Sequence, residues 1–62
     1  MNSLAIIKRL EAEGWTCVGG KGDHQKFKHQ LKPGHVVVPH PRKDLPLGTL
    51  RNIYRQAGWS WS

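Results

Sequence analysis

The residues best equipped for chemistry lie between Gly19 and His29. The run reads Gly19-Gly20-Lys21-Gly22-Asp23-His24-Gln25-Lys26-Phe27-Lys28-His29. His24 has Lys21 on one side and Lys26 and Lys28 on the other. An imidazole with an unperturbed pKa of about 6.5 exchanges a proton near neutral pH. Lysines add fixed positive charge. That set suits the handling of a phosphate backbone, by holding it or by cutting it.

Other chemistries fit less well. The four histidines lack the i,i+4 helical spacing and the carboxylate company of a zinc enzyme, so no metal site is expected. By strand parity His24 and His29 fall on opposite faces, and His35 and His40 lie at the two ends of a later strand. Lys21-Gly22 is not a nucleotide-hydrolase phosphate loop, which needs more residues between its glycines and a Ser or Thr after the lysine. Cys17 is the only cysteine. An internal disulfide is therefore excluded, and a structural zinc site of thiolates is not expected. Cys17 is expected to be a small buried hydrophobe, with a lone thiol nucleophile as the other reading.

The chain has 62 residues and a formal net charge of +6. Its length suits one small domain spanning residues 1–62. The charge favours a polyanionic partner: nucleic acid, an acidic protein or an anionic membrane. It also favours plain solubility. Because the charges are interleaved with apolar positions, a folded surface carries them. No apolar run approaches the ~20 residues that cross a bilayer. The start, Met1-Asn2-Ser3-Leu4, lacks a basic and then apolar signal, so a cytoplasmic location is expected.

The elements that must position His24 read as follows. Ser3 should cap a helix over residues 4–13, with Leu4, Ile7 and Leu10 as its core stripe and Ile6 widening it. Gly14 should stop it. Trp15-Thr16-Cys17-Val18 reads as a first strand. Gly19–Asp23 should form a turn, and residues 24–29 a second strand. If Phe27 faces the core, His24, Lys26 and Lys28 share the opposite, exposed face, about 7 Å apart in a row. Pro33-Gly34 marks a turn before a third strand, His35-Val36-Val37-Val38. Pro39-His40-Pro41 must be extended or turning. Asp44 should cap the last helix with Pro46 in its first turn, or that helix starts nearer Gly48-Thr49. Leu47, Leu50, Ile53, Tyr54 and Ala57 form its apolar face, Arg51 and Arg55 share a second face, and Gly58 stops it. Trp59 should pack back on the domain, leaving Trp61 for a partner. The result is an α+β fold of order α-β-β-β-α. Three antiparallel strands form its sheet, two helices cover one face, and the other face stays open.

The run Lys21-Gly22-Asp23-His24 resembles the Lys-Gly-Ser-His motif of the HicA toxin family. The later run from Val36 to Gly58 resembles the rest of that family's pattern: Pro39-His40, then Gly48-Thr49-Leu50, then Ala57-Gly58. The opening helix followed by Gly14-Trp15 fits as well, so the resemblance covers residues 3–59. It implies a double-stranded-RNA-binding-domain-like fold. It also implies a ribosome-independent mRNA interferase toxin, neutralised by a HicB-type antitoxin. The family's catalytic histidine maps onto His24, and Gly22 matches the motif glycine. Asp23 stands where the family commonly has Ser. An acid there either raises the pKa of a neighbouring imidazole or repels a substrate phosphate.

On that reading His24 is the general base on a ribose 2′-OH, or the acid on the leaving oxygen. Lys21, Gly22, Lys26 and Lys28 form the RNA-binding set, with no metal and no cofactor. Lys26, His29 and His40 are candidates for a second acid–base group. The competing reading is a non-catalytic RNA-binding module, built on the open sheet or on Arg51 and Arg55. A third is an interaction protein whose charge serves only an acidic partner.

Overall fold

The computed structural model describes residues 1–61. Its elements are α1 (Ser3–Ala12), β1 (Thr16–Lys21), β2 (His24–Lys28), β3 (His35–Pro39) and α2 (Leu47–Ala57). The strands pair antiparallel in the order β1-β2-β3. Both helices pack on one side of the sheet, chiefly against β3. This is the α-β-β-β-α arrangement expected from the strand and helix signals.

Asn2, not Ser3, caps α1: its side-chain oxygen accepts from Ala5 N–H at 2.8 Å. Ser3 lies inside the helix and is buried. Its N–H donates to the Arg42 carbonyl at 3.0 Å, and its hydroxyl accepts from Arg42 N–H at 2.9 Å. The hydroxyl also lies 2.7 Å from His40 Nδ1. A polar residue at a core position is thus satisfied by the β3–α2 connection, and it ties that connection to the start of α1. The buried stripe is Ser3, Ile6 and Leu10, whereas Leu4 is 49% exposed. Three-residue steps drift around a helix by about 60° each, so Leu4 and Leu10 cannot share one face.

Phe27, Val36 and Val38 project from the sheet into the layer between sheet and helices. Ile6, Leu10, Ile53 and Ala57 meet them from above, and Trp15, Leu45 and Trp59 close the ends. Each fully buried aromatic or aliphatic side chain contributes about 1.5–3 kcal/mol. Cys17 is exposed, contrary to expectation. It faces the helix side, opposite Phe27, but β1 is the edge strand beyond the helices' reach. Its thiol instead meets Gln25 Oε1 at 3.2 Å.

Asp44 does not cap α2. That helix begins after Pro46 without a side-chain cap, and the Asp44 carboxylate lies 3.5 Å from the terminal amine. Gly58 ends the helix at φ 77°, the left-handed conformation that glycine adopts without a Cβ penalty. Trp59 folds back as expected: its indole N–H donates to Glu13 Oε1 at 2.7 Å, and Arg9 stacks 3.9 Å over its ring. Trp61 is 44% exposed and sits edge-on to Tyr54.

The Glu13–Trp59 tie joins the end of α1 to the C-terminal tail. The indole hydrogen bond, and after it Arg9, hold the Glu13 carboxyl below its ordinary value of 4.5. A carboxylate lowered on folding contributes stability that is complete above its unfolded pKa and lost as pH falls through the folded value. The melting midpoint should therefore drop in acid below about pH 4.5. Glu13→Gln should flatten that acid limb; an identical limb in the variant would rule this tie out as a contributor.

Candidate active site

The glycine-rich stretch is less of a turn than its composition implies. β1 continues to Lys21, and only Gly22 and Asp23 connect it to β2. Gly22 takes φ 63° at the first central position of this two-residue loop, as a hairpin turn of the II′ kind requires. The extra residues are absorbed upstream, where the β1–β2 register shifts between Cys17 and Gly20 and Gly19 takes φ 115°. That bulge keeps the tip tight. His24 is thereby the first residue of β2, directly opposite Lys21.

Parity then sets the face. Phe27 is buried, while His24, Lys26 and Lys28 are exposed. Across the ladder His24 pairs with Lys21 and Pro39, Lys26 with Val37, and Lys28 with Thr16 and His35. Side chains paired in this way share a face. Lys21, His24, Lys26 and Lys28 therefore stand together on the sheet surface that no helix covers. Among the described residues, no carboxylate lies within ion-pair distance of those three lysines. His24 lines none of the three principal cavities. An open cationic surface of this kind receives an extended polyanion more readily than an enclosed small molecule.

Asp23 has a place that the sequence does not disclose. Its Oδ1 lies 3.1 Å from His24 Nδ1, and its Oδ2 accepts from the Arg42 guanidinium. Its carbonyl accepts from His40 N–H at 2.6 Å, which fixes the turn against the end of β3. The Arg42 hydrogen bond and charge hold the Asp23 carboxyl below its ordinary value of 3.8. A negative group beside His24 is thus covered by a cation from the β3–α2 connection. Arg42 also borders a cleft of about 530 Å³ formed with Asn2, Ser3, Leu4, His40, Pro41 and Lys43.

The remaining histidines separate by role. His29 Nδ1 accepts from Leu31 N–H at 3.0 Å, so its proton sits on Nε2, which donates to the Glu13 carbonyl at 2.9 Å. Its ring also meets Trp15 edge-on at 5.3 Å between centroids. Both nitrogens are occupied by backbone, which makes His29 a clamp on the β2–β3 loop. His40 is engaged by Ser3 on the helix side. Of the three candidates for a second acid–base group, Lys26 alone shares the face of His24. Among the described residues, no cluster of His, Cys, Asp and Glu could hold a metal ion, and no helix is long and apolar enough to cross a membrane.

The geometry agrees with what the chain resembles. A family model described as "HicA toxin of bacterial toxin-antitoxin" matches residues 5–59. A solved structure described as "HicA3 and HicB3 toxin-antitoxin complex" matches with a TM-score of 0.81 at 35% identity, over 100% of this chain and 100% of that chain. Comparison with curated proteins gives no match. The family match runs over nearly all of the chain, and the fold is shared from end to end. The chain belongs to the HicA toxin family.

Proposed function

We propose that this HicA-family protein is an endoribonuclease that cleaves mRNA and so arrests translation, and that a HicB-type antitoxin neutralises it. One observation carries the reading: in a chain of a toxin family, an exposed imidazole stands on an open face beside lysines that, among the described residues, pair with no carboxylate. The Asp23 carboxylate lies 3.1 Å from Nδ1 of His24. The His24 imidazole accepts the proton of a ribose 2′-OH, and the 2′-oxygen attacks the adjacent phosphorus. The bond to the 5′-oxygen breaks, leaving a 2′,3′-cyclic phosphate, and the departing 5′-oxygen takes a proton from solvent to become a 5′-hydroxyl. Lys21, Lys26 and Lys28 bind the phosphates and offset the charge that develops on the reacting one. Gly22, without a side chain, lets the strand approach the turn. Because the nucleophile belongs to the substrate, this scheme calls on no cofactor and no metal-bound water.

The antitoxin is proposed from the toxin–antitoxin pair in the matched structure and from the net charge of +6, which suits an acidic partner. Action on mRNA places the protein in the cytoplasm. The test is incubation of the purified protein with single-stranded RNA and, separately, DNA of the same sequence, with EDTA present. RNA should be cut and DNA left intact, since DNA lacks the 2′-OH. Expression alone should stop growth, and co-expression of the antitoxin should restore it. Intact RNA, with binding that weakens steeply as salt rises, would leave a non-catalytic RNA-binding module instead.

A further inference from the structure

We infer that a hollow beside Lys28 takes one base of the RNA strand and so selects the sequence that is held. This rests on RNA as the substrate proposed above. The hollow lies on the open face, at the end of the β1–β2 ladder away from the Gly22–Asp23 turn. It measures about 400 Å³ and is lined by Gly14, Thr16, Val18, Lys28, His29 and Gln30. Thr16 and Lys28 are partners in the ladder. Val18 follows Thr16 by two residues, which puts it on the same face, and it is 52% exposed. His24 and Lys28 stand at the two ends of β2, about 13 Å apart along the strand.

The lining supplies what an unstacked base requires. Val18 and the His29 ring offer apolar and π surface to the face of a heterocycle. The His29 ring is fixed there, because backbone engages both of its nitrogens. The Thr16 hydroxyl donates and accepts, and the Gln30 carboxamide offers two donors and an acceptor to a base edge. Among the described residues neither group makes a side-chain hydrogen bond to protein. Continuity decides the occupant. Lys28 belongs both to the hollow and to the cationic row that runs from Lys21 past His24. A strand whose phosphates follow that row passes the mouth of the hollow, and a base can turn into it. Phosphate contacts hold a strand and base contacts read it. Lys28 is therefore a holding residue, and Gln30 and Thr16 are reading residues.

Two substitutions separate these roles. Gln30 is exposed and lies outside the strands, so Gln30→Ala should leave the fold intact. It should erase most of a preference among bases, about 5- to 150-fold in size, at one position of the RNA. Lys28→Ala should instead weaken every sequence alike and reduce the salt dependence of binding by about one phosphate contact.

The deciding experiment measures binding of short single-stranded RNAs, each varied or made abasic at one position. The protein is the full chain with His24→Ala, so that RNA stays whole, alone and combined with Gln30→Ala or Lys28→Ala. One position where loss of the base weakens binding about 5-fold or more, with its preference lost in Gln30→Ala and kept in Lys28→Ala, supports the subsite. Absent binding, equal binding of every abasic RNA, or a preference that survives Gln30→Ala overturns it. So does a Gln30→Ala protein that loses affinity only for a HicB-type antitoxin, which would give the hollow to that protein. The readout needs no turnover. Base preference without any cutting by the wild type would refute the nuclease reading and leave the subsite intact, and cutting without base preference would do the reverse.

Discussion

His24→Ala is expected to remove RNA cleavage while leaving a folded protein. A positioned acid–base group contributes about 10²- to 10⁴-fold to rate, so single-turnover cleavage should fall by at least two orders of magnitude. Growth arrest on expression should be lost with it. The fold should not suffer. His24 is exposed, its side chain is outside the core, and its one side-chain partner, Asp23, is also held by Arg42. Removal of such a surface group changes stability by no more than about 0.5 kcal/mol. Cleavage kinetics and a denaturation curve on the same preparation check both halves. Undiminished cleavage by the folded variant would take His24 out of the mechanism. It would leave Lys21, Lys26, Lys28 and His35 as the titratable groups on that face.

The second large effect is one of stability, at Gly20. A Cβ there would lie 1.8 Å from the carbonyl oxygen of His24, 2.9 Å from its carbonyl carbon and 3.1 Å from the Gln25 Cα. All three are backbone atoms, so no side chain can swing aside. Relief requires β1 and β2 to part where β2 begins, which is where His24 is presented. Gly20→Ala should cost about 3–5 kcal/mol, at the upper end of single-residue effects. A chain of this length holds only roughly 3–9 kcal/mol in total, so much of the variant should be unfolded at 25 °C. Gly48 gives the opposite sign from the same chemical change. It lies in α2, has open space around its Cβ position and has no positive φ. Gly48→Ala should stabilise by about 0.5–1 kcal/mol, from helix propensity. Chemical denaturation of the two variants beside the wild type is the check. A Gly20→Ala protein as stable as the parent would mean that the bulge yields without strain.

Much of this architecture is legible along the chain because local rules suffice for it. Phe27 between two lysines announces a strand with one buried face. Gly14 at φ 95° and Gly58 at φ 77° end helices as their positions imply. The Pro33-Gly34 pair marks the break before the valine strand. The departures share one cause: they depend on what lies across the fold. Ser3 reads as a cap until the β3–α2 connection arrives to bind its hydroxyl. Cys17 reads as buried until the helices prove to cover β3 and not the β1 edge. Asp44 reads as a cap until the terminal amine comes near it.

The sequence by itself determined the element order, the open face of the sheet and the placing of His24, Lys26 and Lys28 along it. Those follow from periodicities of 2 and 3.6 residues and from glycine and proline stereochemistry, all of which act over a few bonds. The family pattern added the identity of His24 as the residue of interest. Only the tertiary structure decided what surrounds that residue. Arg42 lies 19 positions from Asp23 yet binds its carboxylate, and Lys21 stands opposite His24 because a bulge shortens the turn to two residues. It also closes both ring nitrogens of His29 onto backbone, which leaves neither free for acid–base work. Contacts between residues far apart in the chain depend on how layers pack and strands register, and no local propensity encodes that.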